Sequence, residues 1–122
     1  MCRTRRETTT DKEEYNMKLA IIISVTEPET AWNALRLWNF ARKQNDEVSV
    51  FFMGPGVDAV ESTDEKFKVK AQAEEFLQQG GKLLACGTCL KVRNKAGSEV
   101  CPLSSMKDLY ELVRDSDRVV TF

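Results

Sequence analysis

Histidine is absent from the 122 residues of this chain. That one absence removes Ser-His-Asp and Cys-His nucleophile pairs, and mixed Cys/His zinc sites with them. A surplus of either charge is missing too: 18 Lys and Arg stand against 19 Asp and Glu, for a formal net charge of -1. Neither nucleic acid nor an anionic membrane is an expected partner on that balance. Long apolar runs are also lacking. The longest, Leu19 to Ile23 carried to Val25 through Ser24, is far too short to cross a bilayer, and no signal-peptide layout precedes it, so a cytoplasmic protein is expected. What remains is ordinary for a globule, 42% hydrophobic and 30% charged, at a length that fits one domain with a core of its own.

Four cysteines are present, two of them in the C-x-x-C of Cys86 and Cys89. Without a secretory signal these read as reduced thiols with redox, sulfur or metal chemistry, not as a disulfide scaffold. Residues 1–16 hold four basic and four acidic side chains, three successive threonines and almost nothing apolar. They are expected to be a flexible tail, leaving 17–122 as the single folded domain.

Lys18 to Val25 is continuously apolar and isoleucine-rich, the pattern of a central parallel strand. A loop with Thr26, Glu27 and Thr30 as capping candidates leads into a helix running to about Asn45. The apolar face of that helix, which includes Trp38 and Phe40, is wider than one sheet contact demands, and the surplus suits either deep burial or a subunit interface. Glu47 to Met53 is a second strand, closed by Gly54-Pro55-Gly56. Val57 to Glu65 has no period and is expected to be irregular, and Lys66 to Gln79 keeps helical spacing. Gly80-Gly81 ends that helix, and Lys82 to Ala85 is a short buried strand. After Cys89 a short helix reaches Lys95, and Ser98 to Cys101 is read as a further short strand. Ser105 to Asp108 has the form of a capping box, with Met106, Leu109, Tyr110 and Val113 at helical spacing behind it. Arg118 to Phe122 is a last strand. The alternation predicts an α/β fold, a flavodoxin-like three-layer sandwich on a mainly parallel sheet of four or five strands.

In such a fold the end of the third strand is an open place, and Cys86 falls on it, with Cys89 in the first turn that follows. Free N–H groups there, and the nearby cations Lys91 and Arg93, are expected to bias a thiol toward thiolate. Zinc would need Cys2 and Cys101 as well, one in the tail and the other without C-x-x-C spacing, so no metal is expected. Both thiols also fit a reading as small buried apolar residues, and Cys101 beside Pro102 fits it best. The loop after the first strand lacks glycine and carries Glu27 and Glu29, which would repel a phosphate. No FMN, nucleotide or other cofactor is expected.

The run Cys86-Gly87-Thr88-Cys89-Leu90-x-x-Arg93, followed by Ser105-Met106-x-Asp108-Leu109 and the terminal Asp117-Arg118-Val119-Val120-Thr121-Phe122, resembles the DsrE/DsrF-like sulfur-relay proteins across roughly Met17 to Phe122. The resemblance implies a flavodoxin-like fold, assembly into homotrimers or hexamers, and donor and acceptor proteins as partners. It implies that Cys86 holds sulfane sulfur as a persulfide, with Cys89 as a second thiol that resolves it. After Cys89 the chain departs from the family's short turn, with a longer and more basic Val92 to Gly97, which bears on partner preference. Two other classes compete: a thioredoxin-like dithiol oxidoreductase, against which Ala85 replaces the usual aromatic, and a non-catalytic oligomeric subunit whose cysteines only pack.

Overall fold

The computed structural model describes residues 16–93 and 103–122. The elements follow in the order β1 (Lys18–Ile23), α1 (Pro28–Lys43), β2 (Glu47–Phe52), a 3-10 helix (Gly54–Glu61), α2 (Val69–Gln78), β3 (Lys82–Cys86), α3 (Gly87–Val92), β4 (Leu103–Ser104), α4 (Met106–Asp115) and β5 (Arg118–Thr121). All neighbouring strands pair in parallel, in the order β4-β3-β2-β1-β5. This is the expected flavodoxin-like α/β sandwich, with β1 and β2 at its centre.

Side chains alternate between the faces of each strand, so β2 sends Val48, Val50 and Phe52 to one side and Ser49 and Phe51 to the other. Trp38 of α1 lies against Phe52 and against Phe76 of α2, with ring centroids 5.9 and 5.2 Å apart, which places α1 and α2 together on the first face. Leu109 and Leu112 of α4 pack on the core from the opposite side. Consecutive right-handed crossovers carry the chain from β1 out to β4, and the last one returns it past β1 to β5. The single helix α4 therefore covers a face that the other side gives to two. It buries none of its residues fully, and Met106, Tyr110 and Val113 stay exposed.

Local signals place the ends of the helices. Glu27 caps α1, its carboxylate accepting from the N–H groups of Glu29 and Thr30 at 3.0 and 2.8 Å. α2 ends in a Schellman turn, in which Gly81 N–H donates to Phe76 and Gly80 N–H to Leu77, with Gly80 at φ 88°. Ser105 and Asp108 form the expected reciprocal capping box on α4.

Two expectations about the helices are corrected. The segment read as irregular from Val57 onward is helical as far as Glu61, and its Val57 and Ala59 are buried in the core. A 3-10 segment has no long amphipathic repeat to show in sequence. The helix read from Lys66 starts at Val69, because Asp64 takes the N–H groups of Lys66 and Phe67 into a turn before it. The strand read at Ser98 to Cys101, the packing role of Cys101, Cys2, and the tail up to residue 15 lie outside the described residues.

Candidate functional site

Three chain segments meet at the carboxyl end of the sheet. Cys86 is the last residue of β3 and the N-cap of α3; its extended backbone turns the chain out of the sheet, and its Sγ accepts the Cys89 N–H at 3.4 Å. Cys89 lies one helical turn later and is half-buried, whereas Cys86 is only 4% exposed. Both are free thiols.

The third segment is the loop after β2. Gly54 sits at φ 55° and donates its N–H to Cys89 Sγ at 3.1 Å. Met53 N–H bonds Ile23 O at 2.9 Å, and Gly56 N–H bonds Met53 O at 2.9 Å, so the loop is tied to the end of β1. A Cβ on Gly56 would stand 2.2 Å from that same Ile23 oxygen. Only glycine fits so close to another strand's backbone.

The electrostatics differ from the sequence expectation. Burial pushes the Cys86 thiol above its ordinary range, and the neighbouring Cys89 side chain acts the same way; the backbone N–H groups of Cys89 and Thr88 pull down without cancelling this. Cys86 thus holds its proton instead of releasing it. Arg93, expected to support a thiolate, is engaged elsewhere: its Nε lies 3.5 Å from an Asp58 carboxylate oxygen and its Nη1 donates to the Cys89 carbonyl at 3.1 Å. Its role is to tie the end of α3 to the 3-10 helix. Lys91 is exposed on α3.

A measurable consequence follows. In iodoacetamide labelling read by peptide mass spectrometry, modification of Cys86 should rise at more alkaline pH than that of an unstructured cysteine peptide, because the thiolate is the reacting form. A Cys86 profile at or below that of the peptide would contradict the burial argument.

Sequence reasoning found both cysteines but missed the Gly54 amide and Asp58. The signal for the first was present, since Gly54-Pro55-Gly56 follows a strand at the same end of the sheet as Cys86, but a turn explains such a tripeptide equally well. A groove of about 440 Å³ runs elsewhere, under α4, lined among others by Lys18, Ser49, Leu84, Ser104, Asp108 and Glu111. Neither cysteine lines it. The thiols sit at the carboxyl end of the sheet instead.

The DsrE/DsrF-like family model matches residues 17–122. The chain is 32% identical over 100 residues to an uncharacterized protein of Methanopyrus kandleri, covering 77% of this chain and 83% of that one. It is 30% identical over 114 residues to an uncharacterized protein of Methanocaldococcus jannaschii, covering 87% of this chain and 100% of that one.

Proposed function

This chain belongs to the DsrE/DsrF-like family, and we propose that within it the chain relays sulfane sulfur, held as a persulfide on Cys86, with Cys89 as the second thiol. The observation that carries this reading is the pair itself: two free thiols one helical turn apart at the open end of a parallel sheet, Cys86 Sγ accepting the Cys89 N–H and Cys89 Sγ accepting a backbone amide from another loop. In the transfer a cysteine sulfur attacks the terminal sulfur of a donor persulfide. A new S–S bond forms, the donor's S–S bond breaks, and the donor leaves as thiolate with no net oxidation. Burial of Cys86 suits storage, since a sulfur carried there is shielded from small thiols.

The partners in this reading are a donor and an acceptor protein in the reducing cytoplasm, and the carrier itself is a homotrimer or hexamer. Phe40, 62% exposed, and Tyr110, 63% exposed, supply apolar surface for such contacts.

Intact mass spectrometry after brief exposure to polysulfide tests the proposal. The parent should gain a sulfur atom that strong reductant removes, and after a brief glutathione chase Cys86→Ser should retain roughly a tenth of what the parent keeps, or less. Equal retention by parent and variant, or none by the parent, would remove the carrier reading. Insulin reduction at a thioredoxin-like rate would put the dithiol oxidoreductase in its place.

A further inference from the structure

We infer that Cys89 is the thiol that meets the sulfur donor, and that it hands the sulfur inward to Cys86. The inference rests on the carrier reading and adds an order of events to it. Three observations at the site carry it. Cys86 is 4% exposed while Cys89 is half-buried, so a bulky donor reaches Cys89 first. The Gly54 N–H stands 3.1 Å from Cys89 Sγ, aimed at the atom that is negative as it attacks and gathers negative charge as it departs. Cys86 Sγ accepts the Cys89 N–H at 3.4 Å, which fixes the two cysteines against each other one helical turn apart.

Both steps balance. In the first, Cys89 Sγ, its proton lost to solvent, attacks the terminal sulfur of a donor persulfide or polysulfide. The Cys89 S–S bond forms, the donor's S–S bond breaks, and the donor leaves as a thiolate or a shortened polysulfide. In the second, Cys86 Sγ attacks that same outer sulfur. Its own bond to the sulfur forms as the Cys89 bond breaks, and the Cys86 proton passes to the departing Cys89 sulfur. Neither step needs an oxidant or a reductant. The amide of Gly54 stabilises the leaving Cys89 sulfur in the second step as it did the entering one in the first.

The raised proton affinity of Cys86 agrees with this order, because a thiol that keeps its proton is a poor first nucleophile and a ready proton donor to its neighbour.

The test is a time course of sulfur uptake from polysulfide by the full chain, with the modified cysteine located by fragmentation of the peptide that contains both. In the parent, sulfur should appear on Cys89 first and on Cys86 later. In Cys89→Ser and Cys89→Ala, each confirmed folded by its melting curve, Cys86 should still load but about tenfold more slowly. In Cys86→Ser, sulfur should reach Cys89 and be stripped by added glutathione about tenfold faster than from the parent. Loading of Cys86 at the parental rate without Cys89, or sulfur on Cys86 first in the parent, would overturn the order while leaving the carrier reading intact. Conversion of the loaded parent to a Cys86–Cys89 disulfide with release of sulfide before any sulfur is found on Cys86 would also overturn it, because Cys86 would then have attacked the inner sulfur of Cys89 and taken none. A parent that takes up no sulfur at all would remove both.

Discussion

Replacing Gly56 with alanine should both lower the melting temperature and slow sulfur uptake. The added Cβ would lie 2.2 Å from Ile23 O, 2.8 Å from Ile23 C and 3.1 Å from Ser24 Cα. All three are backbone atoms of the end of β1 and the residue after it, so no side chain can swing aside to make room. The loop has to lift, which breaks its bond from Met53 N–H to Ile23 O and carries the Gly54 amide away from Cys89. Forced overpacking of this kind costs about 1–3 kcal/mol. Alanine at Gly54 is the informative control, because a Cβ there meets nothing within 4 Å among the described residues and the positive φ opposes it. Melting curves and uptake time courses of both variants check the argument. If Gly56→Ala melted and loaded like the parent, the loop would not be the support of Cys89 described above.

The largest loss of stability should come from Trp38→Ala. Trp38 is fully buried between Phe52 of β2 and Phe76 of α2, so it joins α1 to the sheet and to the neighbouring helix at once. Truncation of such a residue costs about 3–5 kcal/mol, a large part of the roughly 5–15 kcal/mol that a domain of this kind possesses. In urea unfolding the midpoint should fall with little change in slope. Trp38→Phe should lose less than about half as much. It leaves a smaller cavity, and it also removes the indole N–H, which is buried without a hydrogen-bond partner among the described residues. Equal losses for the two variants would mean that the volume left empty does not set the cost at this position.

Most of the elements were legible because their signals are local. The isoleucine-rich run of β1, the Ser105 and Asp108 pair before α4, and Gly80-Gly81 behind α2 each specify a conformation through residues a few positions apart. The 3-10 helix was not legible, because eight residues at three per turn leave too short a pattern to separate from a loop. At the site, Cys86 could be placed because it terminates an apolar run, and Cys89 because it follows one turn later.

The sequence by itself determined the α/β class, the family resemblance, and the placing of two thiols where a strand becomes a helix. The tertiary structure decided the order β4-β3-β2-β1-β5, the engagement of Arg93 with Asp58, and the delivery of the Gly54 amide to a sulfur 35 residues away in the chain. It also decided that burial outweighs the N–H groups around Cys86, so that the thiol keeps its proton. The division has a physical cause. Periodicity, caps and turns act between near neighbours in the chain, whereas desolvation and the hydrogen bonds between strand ends exist only once distant segments have packed together.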